Sequence, residues 1–211
     1  MQFTHTVGNE TAIIDVKETE KNPKLAPLQG EKYLQAPCCE QFMLRRKVVN
    51  KLAIVASMLP DGYQFKIFET YRTAQKQIAL WNNELAKIKA QNSHISQTEL
   101  EEKANIGIAN PYKIGSGHQT GAALDLTLCK DGQELDMGTP YLDTNNPKTP
   151  TFSKGLTLEQ MQNRSLLFFL MTIAGLSNYP LEWWHYSYGE QEWAVITHHQ
   201  HTLYAKINFR E

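Results

Sequence analysis

Cysteine is scarce in this chain, long apolar runs are missing, and neither sign of charge is in surplus. The three cysteines, adjacent Cys38 and Cys39 and a distant Cys129, form no even framework and no second pair. That excludes a disulfide-built fold and a cysteine zinc site, and leaves free thiols packed as small hydrophobes in reducing surroundings. With 21 basic and 22 acidic residues the net charge is −1, a balance with nothing to draw nucleic acid or an anionic membrane as partner. The longest apolar stretch, residues 166–176, is broken by Thr172 and Gly175 and is too short for a membrane span. The first residues hold no basic segment followed by an apolar one, so no secretory signal is read and a cytoplasmic location is expected. Repeats and low-complexity tracts are absent as well.

What remains is an ordinary globular composition. Hydrophobic residues make up 41% of 211, enough for the core of one domain spanning residues 1–211. Residues 12–16 (AIIDV) read as a strand, followed by a polar linker with Pro23 and Pro27. The pattern over 38–59 predicts a helix with Phe42, Val49, Leu52, Ala53, Ala56 and Leu59 on one face, stopped by Pro60-Asp61-Gly62. Residues 63–70 alternate as a strand, with Phe65, Ile67 and Glu69 on one face and Lys66 and Phe68 on the other. Thr73 is placed to cap a helix carrying Ile78, Trp81 and Leu85.

Residues 87–110 are polar and irregular, with a short helix expected near 98–103 under a Thr98 cap. A strand is expected at 122–128, then a turn at Lys130-Asp131-Gly132 and a long loop over 137–154. Thr157 opens a helix to 171 that Gly175 ends, and aromatic-rich strands are expected at 181–188, 193–196 and 202–207. Strands and helices in segregated runs indicate an α+β fold.

Four residues carry ligand and acid–base chemistry. Two histidines and a carboxylate, His118, Asp125 and His185, can hold a zinc ion and leave a fourth position to water. Glu182 is a free carboxylate of the kind that takes that water's proton. By spacing alone Asp125 reads equally well as a buried carboxylate capping loop amides, and His185 as a hydrogen-bonded residue of an aromatic strand. Those separate readings must account for a Glu, a His and an Asp–His pair together, which favours the joint one. Arg72 follows a strand and opens a helix, so it can project into a cleft and bind an oxyanion; its alternative is a surface pair with Glu69. The His198-His199-x-His201 cluster, also able to bind metal, reads as solvent-facing.

Taken together, Thr70-Tyr71-Arg72, Ser116-x-His118-x-x-Gly121-x-Ala123-x-Asp125, Asp136-Met137-Gly138-Thr139-Pro140, Asn163-Arg164 and Glu182-Trp183-Trp184-His185 resemble the D-alanyl-D-alanine dipeptidase (VanX-type) family of zinc D,D-peptidases. The resemblance implies a central, mostly antiparallel sheet flanked by helices. It implies one zinc ion per chain on His118, Asp125 and His185, Glu182 as general base and Arg72 as stabiliser of the transition state. Ser116, Tyr71 and Asp143 would contact a small dipeptide substrate, Asp143 through the substrate amine. The sequence departs from the family's pattern in three places. Glu69-Thr70 precedes Tyr71-Arg72 where Asp-Gly is usual, Gly138-Thr139-Pro140-Tyr141-Leu142-Asp143 replaces Gly-Thr-x-Phe-Asp, and the 87–110 stretch is long. A carboxypeptidase or endopeptidase acting on cell-wall stem peptides would use the same chemistry, and a zinc-binding module without catalysis would lack Glu182 or Arg72.

Overall fold

The computed structural model describes residues 25–27, 32–35 and 43–207. The strand expected at 12–16, Cys38, Cys39 and His5 lie outside them, whereas Cys129 is a free, buried thiol. The main sheet contains β2 (Tyr33–Gln35), β4 (Tyr63–Glu69), β5 (Ala123–Lys130), β6 (Gln133–Glu134), β7 (Ser177–Asn178) and β8 (His185–Ser187). Its order is β2-β4-β5-β8-β7, with β6 paired to β5, and every pairing is antiparallel except β2 with β4. A separate ribbon pairs β1 (Leu25–Pro27) with β3 (Met43–Arg45). Among the described residues five α-helices complete the α+β fold: α1 (Arg46–Ala56), α2 (Ala74–Gln91), α3 (Gln97–Gly107), α4 (Leu158–Ile173) and α5 (Gln191–Ile196). None is long and apolar enough to cross a membrane.

Several sequence expectations give way to tertiary bonding. Within the described residues the helix of the 38–59 pattern begins at Arg46, because Met43–Arg45 is drawn into a strand; Phe42 lies outside the described residues. Met43 N–H donates to the Thr70 hydroxyl, its carbonyl accepts from Tyr71 N–H, and Arg45 N–H donates to Gly121. The buried face of α1 is Val48, Leu52, Val55 and Ala56; Val49 is half-buried against the same core, and Ala53 is exposed. Pro27 lies in a strand rather than a linker, on a two-stranded ribbon where a missing N–H is tolerated. Thr98 lies inside α3, whose cap is Ser96. Its hydroxyl accepts from Glu99 N–H while Glu99 accepts from Ser96 N–H. The aromatic run at 181–188 is a strand only at His185–Ser187, 193–196 belongs to α5, and the expected strand at 202–207 does not form. There Glu190 accepts from the N–H groups of Glu192 and Trp193 and starts a helix, so the aromatic content reflects burial rather than strand propensity.

The core is built on one face of β5. Leu124, Leu126 and Leu128 are fully buried in a cluster with Val48, Leu52 and Val55 of α1 and Leu167, Leu170 and Met171 of α4. Each such leucine contributes about 2 kcal/mol by leaving water. Side chains alternate along a strand, so Asp125 and Thr127 belong to the opposite face. On β4, Phe65 and Ile67 stand across from Leu128 and Leu126 and join the same core. The register then shifts, with Ile67 opposite Leu126 but Glu69 opposite Asp125. This bulge sets two residues against one and turns Glu69 away from the face of Phe65 and Ile67, where strict alternation would have put it.

Candidate metal centre

Cross-strand register brings the first two ligand candidates together. His185 of β8 is the direct partner of Asp125 on β5, and Glu69 of β4 is the partner on Asp125's other side. Directly opposed residues share a face and touch, so one row across three strands reads His185, Asp125, Glu69. His118 comes from a short 3-10 turn, Gly117–Thr120, that runs into β5. Gly121 ends the turn at φ 70°, a left-handed conformation that suits glycine, and its N–H donates to the His118 carbonyl.

His118, Asp125 and His185 are all buried, and a donor atom from each lies within 4.8 Å of the others. Asp125 Oδ1 stands 3.3 Å from His118 Nε2 and 2.9 Å from His185 Nδ1. Burial would raise the Asp125 carboxyl, but the two imidazoles outweigh it and hold the group far below the usual carboxylate range. Each of the three also has an outer contact. His118 Nδ1 is 2.8 Å from the Thr70 carbonyl, which can only accept, so Nδ1 carries a proton and Nε2 is the nitrogen turned toward Asp125. Tyr141 donates its hydroxyl to Asp125 Oδ2 at 2.8 Å. His185 Nε2 is 3.2 Å from Glu192 Oε2 on α5. For His185, burial works against the charged ring, but the Glu192 and Asp125 carboxylates raise its pKa well above that of a free imidazole.

Glu182 does not lie on a strand. It sits in the turn before β8, where its N–H donates to the Tyr179 carbonyl and its own carbonyl accepts from His185 N–H. Burial pushes its carboxyl up to about 8, with further upward pressure from Asp125 and Glu192 and downward pressure from His185 and Arg72. Arg72 is buried rather than on the surface, and it is paired with Glu69. Its Nε and Nη2 donate to Glu69, and its Nη1 donates to Gln77 Oε1 at 2.7 Å. A guanidinium carries five N–H donors, and these bonds leave one on each terminal nitrogen. Backbone bonding ties Arg72 to the ligand turn, since its N–H donates to the His118 carbonyl at 3.1 Å.

The remaining candidates are more peripheral. The Ser116 hydroxyl accepts from His118 N–H and caps the 3-10 turn, which leaves its own O–H to donate. Tyr71 is half-buried, and its N–H is tied to the Met43 carbonyl. Asp143 is held within its own loop, where Oδ2 accepts from Asn146 at 2.9 Å. His198 and His199 are exposed after α5, and His201 joins no metal-type cluster among the described residues. Reading the residues alone missed Tyr141 and Glu192. Tyr141 carries a signal, since it puts a hydroxyl where the resembled family has phenylalanine. For Glu192 the signal is a carboxylate that closes the polar Glu190-Gln191-Glu192 stretch immediately before the apolar Trp-Ala-Val-Ile run.

Comparison with known proteins gives concordant matches. A family profile described as D-ala-D-ala dipeptidase matches residues 32–207. A D-alanyl-D-alanine dipeptidase of Synechocystis sp. is 30% identical over 193 residues, covering 80% of this chain and 78% of its own. A D-alanyl-D-alanine dipeptidase of Escherichia coli is 28% identical, covering 73% and 68%. Among solved structures, VanYB in complex with D-Alanine-D-Alanine is 20% identical with a TM-score of 0.43, covering 82% of this chain and 87% of that one.

Proposed function

The chain belongs to the D-ala-D-ala dipeptidase family of M15 peptidases, and on that premise we propose that it hydrolyses D-alanyl-D-alanine or a similar small D,D-dipeptide with one zinc ion, the whole chain acting as a single catalytic domain. The observation that carries the metal reading is the placement of Asp125 Oδ1, 3.3 Å and 2.9 Å from two imidazole nitrogens. Zinc bonds to nitrogen and oxygen of 2.0–2.1 Å give a tetrahedron with edges of about 3.3 Å. Two of the three donor separations lie near that edge and all three are within 4.8 Å, so the donor set fits the ion in type and burial.

His118, Asp125 and His185 would hold the zinc, which when bound polarises a carbonyl and brings the pKa of a water down to roughly 7. The chain's own residues do the rest. Glu182 accepts a proton from the water that attacks the peptide carbonyl carbon, and returns it to the amine as the C–N bond breaks. A carboxyl that burial and neighbouring carboxylates push up is suited to both halves of that exchange. The Arg72 N–H groups not engaged by Glu69 and Gln77 donate to the carbonyl oxygen as its negative charge builds. Glu69 and Gln77 hold the guanidinium in place beforehand, so little reorganisation is needed at the moment of reaction. The free O–H of Ser116, the Tyr71 side chain and the remaining oxygen of Asp143 are assigned to the dipeptide, Asp143 to its ammonium group.

The test uses the zinc-loaded protein with D-Ala-D-Ala, L-Ala-D-Ala and a stem pentapeptide. D-Ala-D-Ala is expected to be cleaved fastest, with turnover abolished by a chelator and restored by zinc. Glu182→Ala should retain one zinc per chain while kcat falls by about 10²–10⁴. Turnover surviving in that variant sinks the assignment of the base, and preference for the pentapeptide sinks the dipeptide reading.

A further inference from the structure

We propose that Glu192 is a positioning residue of the metal centre: it accepts the Nε2 proton of His185 and thereby fixes the imidazole tautomer that turns Nδ1 toward Asp125. This rests on the zinc reading above, but concerns a residue that lies outside the ligand set and the acid–base machinery.

Each histidine ring has two nitrogens with different tasks. A neutral imidazole can lend a lone pair from one nitrogen only if the other carries the proton. For His118 the Thr70 carbonyl settles which one, since it accepts from Nδ1. For His185 both nitrogens face carboxylates, with Asp125 Oδ1 2.9 Å from Nδ1 and Glu192 Oε2 3.2 Å from Nε2. A cation shared by Asp125 and His185 must take the Nδ1 lone pair, so the remaining proton stays on Nε2. The group 3.2 Å away is then a carboxylate, the strongest acceptor a side chain offers.

The fold delivers Glu192 to that point by a definite route. After β8 the chain turns at Gly189, φ 80°, and Glu190 caps α5 by accepting from Glu192 N–H at 2.9 Å and Trp193 N–H at 2.7 Å. The cap fixes the backbone of Glu192, and burial of Gln191, Trp193 and Ala194 holds the helix against the sheet. The Glu192 side chain retains only 15% of its exposure and His185 only 8%, so water competes weakly for the contact.

The decisive experiment measures zinc, not turnover. Zinc affinity would be determined for the wild type, Glu192→Gln and Glu192→Ala by competition with a chromophoric chelator, alongside the melting temperature of each metal-free protein. The inference expects about 10–100-fold weaker zinc binding in both variants, with the metal-free melting temperature of Glu192→Gln unchanged or raised. A merely structural role would give the reverse, a lowered melting temperature with unchanged zinc affinity, and would overturn it. Nitrogen NMR of the histidines in zinc-loaded wild type needs no variant to fold: His185 bound through Nδ1 with the proton on Nε2 supports the inference, and the opposite tautomer overturns it. A wild type that binds no zinc overturns the metal reading and this inference with it. A wild type that binds zinc beside a Gln variant of equal affinity overturns this inference alone.

Discussion

The ligand candidates are tied down by bonds that span the sequence, whereas the neighbouring loop between β6 and α4 is tied mostly to itself. His118 reaches Thr70, Asp125 is touched by Tyr141, and His185 lies between Asp125 and Glu192. In the loop, Asp143 bonds to Asn146, Thr149 to the Asp143 carbonyl and Lys148 N–H to Asn146. The loop is fastened at its ends, where Arg164 donates to the carbonyls of Met137, Pro150 and Thr151 and Trp183 donates to Thr139. The difference separates two tasks. The reaction needs atoms placed to a fraction of an ångström and draws them from sheet register. Substrate choice is assigned to a loop whose tip can change shape without moving the sheet.

The largest expected effect breaks the loop and spares the centre. Arg164 is buried, and although burial lowers its pKa to about 10 it stays charged at neutral pH. Arg164→Ala removes its hydrogen bonds to loop carbonyls and leaves a cavity. Buried charge-assisted bonds at about 1.5–3 kcal/mol each suggest a loss of about 4 kcal/mol in stability, read by urea unfolding. KM should rise more than kcat falls, with zinc retained. If stability is unchanged, the loop is not anchored as described.

The next tests the centre by pH. Burial works to raise the Glu69 carboxyl, but the hydrogen bonds from Arg72 and the nearby His118 outweigh it and bring the group from 4.5 down to about 2. A depressed folded pKa means that the stabilisation is fully present above pH 4.5 and is lost as pH falls toward 2. The full shift corresponds to roughly 3 kcal/mol. Melting temperature should therefore decline across that window in the wild type and decline less in Glu69→Gln. Parallel curves for the two proteins would show that the Glu69–Arg72 pair contributes nothing to folding.

The same contrast explains how much could be read from the residues. The ligand types were legible because two imidazoles, a carboxylate and a second acid in recurring order have few structural uses together. What aligns them was not. The bulge at β4 that carries Glu69 to the side of Asp125 depends on partner register, and Phe65-x-Ile67-x-Glu69 alternates without a flaw in the sequence. Glu192 was hidden because Trp193 and its apolar neighbours suggest a strand, and only the Glu190 cap turns them into a helix. The Ser96-x-x-Glu99 capping box was legible and would have corrected the start of α3. Met43–Arg45 could not be separated from α1 by pattern, because its strand is made by distant backbone groups.

Tyr141 joins the two regions and yields the smallest effect with the sharpest meaning. It belongs to the loop, yet its ring stacks on Phe68 with centroids 4.3 Å apart and its hydroxyl donates to Asp125 Oδ2. Tyr141→Phe keeps the stack and removes only that bond, worth about 1.5 kcal/mol when the acceptor is charged. If Tyr141 orients the ligand carboxylate, zinc affinity should fall about tenfold while KM for the dipeptide stays within twofold, because the loop's own bonds are untouched. If zinc affinity holds and KM rises instead, the hydroxyl serves the substrate, and the boundary between centre and loop lies on the other side of Tyr141. Isothermal titration with zinc and steady-state kinetics on one preparation separate the two.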